Sequence, residues 1–182
     1  MGETIGQGDR GSARLHTLTA GELPLYLEHL TRLDRAGRRL RFGCAMDEAA
    51  LQAHCLTLID NRVTIVGAFV GGTLRAAAEL APARAPFDGC EAAFSVESGF
   101  RRCGLASALL DSAARMVSPR LLTLVCDADN VPMLACAAKA GATVTVCDDE
   151  AICTLRGPGV AAGEPAREIV TLPHDALLRG YV

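Results

Sequence analysis

The chain has 182 residues with a net charge of −3; half are apolar and 21% charged, which allows one packed domain. This charge gives no general attraction to nucleic acid or an anionic membrane, and the uncharged stretch Val63–Leu74 is too short to span a bilayer. With no Trp, two Tyr and five Phe, the core must be built mainly from Ala, Val and Leu.

The first twelve residues are Gly-rich and polar and are expected to be a disordered N-terminal segment, 1–12. They carry no apolar run of a secretory signal, and Gly6 stands where a myristoylation pattern has Ser or Thr. A domain is expected over 13–156. Arg14–Leu18 reads as a first strand, and Thr19-Ala-Gly-Glu22 as a capping box opening a helix whose Leu23, Leu27, Leu30 and Leu33 recur at helical spacing. A basic connector, Asp34–Gly43, leads to a second helix from Asp47 to about Ile59.

Three strand-like runs follow: Val63–Val70, Thr73–Leu80 and Cys90–Val96. Gly71-Gly72 predicts a tight hairpin between the first two, and Phe87-Asp88-Gly89 a turn before the third. A helix from about Leu105 must end before Ser118-Pro119. Leu121–Cys126 reads as a buried strand. Asp129 or Asn130 caps a helix that Gly141 stops, and TVTVC and ICTLR form a last hairpin about Asp148-Asp149-Glu150. Residues 157–182 read as a linker and C-terminal tail, which is a mobile end, a lid or an oligomer contact.

The order β-α-α-β-β-β-α-β-α-β-β is that of an α/β (α+β) fold. Its central twisted sheet has about seven strands, mostly antiparallel, with one locally parallel pair that can splay into a cleft. Eight cysteines lie singly, with no C-x-x-C pair, which points to reduced thiols in a cytoplasmic setting and to no metal site. The four histidines show no metal-ligand spacing and receive no role.

The stretch FRRCGLASALLDSA at 100–113, following a strand expected to end at Val96, places two arginines and a glycine before a helix. Free N–H groups of a first helical turn and the helix dipole favour an anion there, and Gly104 leaves room for it. Taken alone, the stretch reads equally as a charged helix entrance, and one glycine is not a dinucleotide fingerprint.

The pattern [RQ]-x-x-G-x-[GA] after a strand, here Arg101-Arg-Cys-Gly-Leu-Ala106, resembles the pyrophosphate-binding motif of the GCN5-related N-acetyltransferases (GNAT). The order of elements and the segment DNVPMLACAAKAGA (Asp129–Ala142) resemble that superfamily too. The spacing of Glu91–Ala106 and the segment RRLRF (Arg38–Phe42) are similar to the acetyltransferase domain of bacterial protein-lysine acetyltransferases.

The resemblance implies an acetyl-CoA-dependent N-acetyltransferase with no metal, acting on a primary amine, either a protein lysine or a small molecule, by direct attack on the thioester. It implies a cofactor site at Ser95, Val96, Arg101, Arg102, Cys103, Gly104, Leu105, Ala106, Ser107 and Asn130. The backbone N–H groups of Arg102 to Ala106 would hold the pyrophosphate, and the strand end near Ser95 and Val96 would hold the pantetheine arm.

Alternation puts Glu91, Ala93, Ser95 and Glu97 on one face of the strand. Glu91 matches the relatives' catalytic carboxylate, with Glu79 the second candidate base. Many relatives carry a Tyr where this chain has Ala137, so a non-catalytic acyl-CoA-binding module or sensor is the main alternative, ahead of a purely structural domain. Cys103 is either a reactive thiol or a tolerated residue at a variable position. Arg32, Arg35, Arg38, Arg39 and Arg41 form a basic cluster, read either as a solvated face or as an acidic-acceptor or phosphate contact. A homodimer stays open.

Overall fold

The computed structural model describes residues 3–5, 13–83, 89–117 and 120–157. Among the described residues, eight strands form one sheet in the order β1-β2-β3-β4-β5-β6-β8-β7. They are β1 (Glu3–Ile5), β2 (Ala13–Thr17), β3 (Thr64–Val70), β4 (Thr73–Pro82), β5 (Gly89–Val96), β6 (Leu121–Asp127), β7 (Thr143–Cys147) and β8 (Glu150–Arg156). All neighbours are antiparallel except β5 and β6. The seven strands expected from the sequence are present, and β1 adds an edge strand on β2 within the segment expected to be disordered. Phe87-Asp88, Ser118-Pro119 and the tail from residue 158 lie outside the described residues.

Five α-helices among the described residues cover the sheet: α1 (Leu23–Arg32), α2 (Arg35–Phe42), α3 (Glu48–Asp60), α4 (Leu105–Val117) and α5 (Val131–Lys139). The connector Asp34–Gly43 is therefore not a loop. Asp34 accepts from the Gly37 N–H at 2.6 Å and caps α2, and Gly43 ends it with its N–H on the Arg39 carbonyl. Those two ends outweigh the like charge of four arginines on eight residues. The Thr19 box is present as a carboxylate clasp, with Glu22 accepting from both the Thr19 N–H at 2.9 Å and its hydroxyl at 2.8 Å. Gly71 and Gly72 both have positive φ, 58° and 78°, as a two-residue hairpin turn demands.

The two faces of the sheet carry separate cores. One packs Ala76, Ala78, Leu80, Ala92, Leu122 and Leu124 against Leu105, Leu109, Leu110 and Ala113 of α4. The other packs Ile65, Leu74 and Ala77 against Tyr26, Leu30, Leu33, Leu51 and Leu58 of the α1–α3 layer. Beneath that layer lies the carboxylate of Glu79, 2% exposed. Tyr26 of α1 donates its hydroxyl to Glu79. His54 Nε2 of α3 donates to Oε1 at 2.7 Å, and Arg41 Nη2 of α2 sits 2.6 Å from Oε2, an ion pair outside hydrogen-bond angles.

Burial alone would raise the Glu79 pKa, but the Arg41 charge and the His54 and Tyr26 hydrogen bonds outweigh it and hold it at about 2. The Tyr26 hydroxyl is pushed well up by burial and by that same carboxylate. A depressed carboxylate stabilises the fold above its unfolded pKa and loses that contribution as pH falls through its folded one. Glu79 should therefore contribute fully above pH 4.5 and lose its contribution on the way down to about 2. Glu79→Gln removes the carboxylate charge beside the buried Arg41 and should cost about 3–5 kcal/mol in urea unfolding at pH 7. Glu79→Gln with Arg41→Met should recover part of that loss; a double variant as unstable as the sum of the two singles would contradict the ion-pair account.

Candidate functional site

Ladder pairing between β5 and β6 spans three rungs, Gly89↔Leu121, Cys90↔Leu122 and Glu91↔Thr123, and then stops. Beyond it β5 continues to Val96 and β6 to Asp127, each still paired on its other side. The parallel pair therefore opens into a V with Glu91 at its apex. Glu97 N–H bonds the Arg75 carbonyl on β4 at 3.0 Å, in register with the Ala77↔Ser95 pair. Antiparallel alternation then directs the backbone groups of Ser95 to β4 and those of Phe94 and Val96 to the open side. An edge of this kind can take another strand-like chain. At the strand end near Ser95 and Val96, it is therefore the backbone of Phe94 and Val96 that faces the open side.

After β5, Ser98–Phe100 forms a short 3-10 turn and the chain swings into α4 through Arg102 (φ 60°) and Gly104 (φ 82°). Ala108 N–H is the first to bond back along the helix, to the Gly104 carbonyl at 3.0 Å. The N–H groups of Leu105, Ala106 and Ser107 precede it and have no acceptor within the helix. A Cβ built on Gly104 meets nothing within 4 Å, so the space before this helix is open; φ +82°, not crowding, is what favours glycine here. Cys103 and Arg102 are exposed. Leu105 is buried in the α4 core, so only its backbone faces this space.

Arg101 has a different task. Its Nε donates to the Val96 carbonyl at 3.3 Å and its Nη2 to Asp34 Oδ1 at 3.1 Å. Its guanidinium thereby joins the strand end, the loop and the cap of α2. Gly37 makes room for this, because a Cβ there would lie 2.8 Å from Arg101 Nη2. Asn130 accepts from the Met133 N–H at 3.2 Å as an N-cap. Ser107 Oγ lies 3.0 Å from Cys136 Sγ, which ties α4 to α5. The Cys103 thiol lies 3.5 Å from the Arg101 carbonyl.

On the face of β5 toward α1, Ser95 and Glu97 meet His29, to which the sequence reading gave no role. His29 Nε2 lies 2.8 Å from Ser95 Oγ, and Nδ1 lies 3.2 Å from Glu97 Oε1. Glu97 also accepts from Arg32 Nε at 2.8 Å and Arg75 Nη1 at 2.7 Å. Burial works against ionisation of Glu97, yet the hydrogen bonds from His29, Arg32 and Arg75 hold its pKa at about 2. Burial lowers the His29 pKa, against the pull of Glu97 and with the push of Arg32 and Arg75. His29 sits in the buried stripe of α1 between Tyr26, Leu30 and Leu33, and that periodicity was its only trace in the sequence.

The basic cluster does not form one surface. Arg32 is spent on Glu97 and the Leu74 carbonyl, and Arg41 on Glu79. Arg38 donates to the carbonyls of Thr31, Leu33 and Met46, while Arg35 and Arg39 are exposed. Glu79, named as a second base, is held ionised by its partners and is a poor proton acceptor. Ala137 is fully buried in the α4 core and brings no polar group. Two surface clefts of about 360 and 410 Å³ lie over α1–α3, and neither is lined by β5 or β6.

The acetyltransferase (GNAT) family model matches residues 28–142, and the chain belongs to that family of acetyl-CoA-dependent N-acetyltransferases. The GNAT domain of S. lividans PAT superposes with a TM-score of 0.69 at 20% identity, over 85% of this chain and 96% of that one. A putative acetyltransferase from Salmonella typhimurium with its cofactor acetyl-CoA gives 0.59 at 14%, over 85% and 99%. A phosphinothricin acetyltransferase from Sinorhizobium meliloti in complex with acetyl-CoA gives 0.61 at 16%, over 86% and 94%. No curated protein matches the sequence. The described residues contain no group suited to a metal ion, and none of their helices is long and apolar enough to cross a membrane.

The bridge from Arg101 to Asp34 should matter in two separable ways. Asp34→Asn keeps a cap acceptor but removes the charge opposite Arg101, whereas Asp34→Ala removes both. Urea unfolding should place the Ala variant about 1 kcal/mol below the Asn variant; equal losses would mean that the α2 cap contributes nothing.

Proposed function

We propose that the chain transfers an acetyl group from acetyl-CoA to a primary amine, a protein lysine side chain or a small molecule, by direct attack on the thioester. The observation that carries this reading is the placement of the free N–H groups before α4 beside the open edge of β5. The pyrophosphate of acetyl-CoA would lie on the backbone from Arg102 to Ser107, where the helix dipole and unpaired donors favour an anion. The pantetheine arm would then run along Phe94 and Val96, and the Val96 N–H would polarise the thioester carbonyl. Asn130 would stand beside the arm while keeping its cap. The Arg101 side chain serves by fixing the loop.

An alkylamine with a pKa of about 10.4 is neutral in roughly one molecule in 2,500 at pH 7. Glu91, at the apex of the V, is the proposed base for that first proton, directly or through water. The eight cysteines are all free, which supports a reducing, cytoplasmic setting. The buried Ala137 favours one second reading, an acyl-CoA-binding sensor without turnover.

Acetyl-CoA at about a hundred times its Kd should raise the thermal midpoint by about 5–10 °C. Gly104→Glu, which sets a carboxylate in the proposed cradle, should abolish that rise. Glu91→Gln should keep the rise while lowering turnover on a lysine peptide or amine acceptor about 10²- to 10⁴-fold. No rise with the folded wild-type protein contradicts the reading, and a rise with no turnover on any amine favours the sensor.

A further inference from the structure

The contact between Ser95, His29 and Glu97 asks for an account beyond tethering. Ser95 is 4% exposed, His29 fully buried and Glu97 6% exposed. Helix α1 is already fastened to the sheet by Arg32 on Glu97 and the Leu74 carbonyl, and by Tyr26 on Glu79. Attachment therefore does not require a titratable ring between Ser95 and Glu97. The ionised Glu97 only accepts, so Nδ1 of His29 carries the ring proton and Nε2 offers its lone pair to the Ser95 O–H. Hydroxyl, imidazole and carboxylate in this sequence make the hydroxyl able to pass a proton inward.

Direction follows the state of the ring. With His29 neutral, the Ser95 O–H points to Nε2 and Oγ keeps a lone pair able to accept a further hydrogen bond. With His29 protonated, Nε2–H donates to Oγ and the hydroxyl proton is free to donate outward. Charged and titratable neighbours bear on this ring from every side: Glu97 of β5, Arg32 and Tyr26 of α1, and Arg75 of β4. Burial with Arg32 and Arg75 keeps the resting ring neutral, and Glu97 supports the transient imidazolium. Ser95 immediately precedes Val96, whose N–H lies on the open edge.

We propose that the Ser95 hydroxyl, backed by His29 and positioned by Glu97, carries the second proton of acetyl transfer from the attacking nitrogen to the departing sulfur of CoA. The proposal rests on the acetyltransfer reading and assigns a step that Glu91 leaves open. Attack forms the C–N bond and leaves one surplus proton on nitrogen. Ser95 Oγ takes that proton while its own passes to His29 Nε2. When the C–S bond breaks, its electron pair leaves on sulfur, and the proton returns through Ser95 to give the CoA thiol. One N–H is exchanged for one S–H, nothing is oxidised or reduced, and the side chains return to their starting state. An acid at position 137, where this chain has Ala, is then unnecessary.

His29→Gln and Ser95→Ala test this, with CoA-thiol release from acetyl-CoA in the presence of polylysine as the rate assay. Each variant should lose about 10²-fold or more in kcat, with the acetyl-CoA KM within about twofold of wild type. The wild-type kcat should fall as pH drops below the ordinary histidine range, and that acid limb should be absent in His29→Gln. Independently of any acceptor, 15N imidazole spectra should show His29 Nε2 shifting when CoA is added to wild type and not to Ser95→Ala. An unchanged kcat and acid limb in both variants overturns the relay, as does a silent His29 in the CoA-bound protein. If polylysine is not acetylated, or His29→Gln does not fold, the spectra of wild type and Ser95→Ala decide. Failure of CoA to raise the thermal midpoint overturns the acetyltransfer reading itself, and the relay with it.

Discussion

Two buried carboxylates on one face of the sheet hold the α1–α3 layer in place. Glu79 receives one group from each of α1, α2 and α3 through Tyr26, Arg41 and His54. Glu97 receives His29 and Arg32 from α1 and Arg75 from β4. The strand positions beneath those helices include Ala77 and Ala93, which offer little area to bury. Directional contacts supply the docking geometry that large apolar side chains would otherwise give. Buried ion pairs add little net stability against an apolar alternative, but removing one partner is costly. The helical layer therefore has a defined position over β5 rather than merely a strong one.

That position is what makes the open strand edge usable. The β5–β6 ladder ends at Glu91, so the backbone of Phe94 and Val96 faces a gap. The Arg101 guanidinium then links the Val96 carbonyl to Asp34 at the start of α2. The strand end, the loop before α4 and the helical layer are thus joined by one side chain. An anion on the loop, an extended arm on the edge and an amine from the α1 side would all meet near Ser95 and Val96. The functional proposals depend on this convergence.

Much of this was legible in the sequence. The hairpin at Gly71-Gly72, a cap at Asp129 or Asn130 and the helix from Leu105 follow from local chemistry, and the parallel pair with its crossover follows from the order of elements. Helix α2 was missed because its arginines read as a charged connector, although Asp34 and Gly43 stood at its ends as cap signals. Arg101 read as charge for an anion, but its partners, Asp34 and the Val96 carbonyl, are set by tertiary packing that no local pattern reveals. His29 was passed over for a similar reason: one histidine in an apolar stripe carries no sign of the serine and glutamate more than sixty residues away. That Phe94 and Val96 rather than Ser95 turn their backbone groups to the open side is set by the β4 register, which sequence alternation does not fix.

The central claim is that the loop before α4 and the open edge of β5 form one continuous site for CoA. A crystal structure of the protein with CoA tests it most directly. The account predicts pyrophosphate oxygens within about 2.7–3.2 Å of backbone N–H groups between Arg102 and Ser107. It also predicts the pantetheine amides paired with Phe94 or Val96, and the sulfur beside Ser95. CoA bound away from this loop, or on the loop with its arm outside the β5–β6 gap, would contradict it.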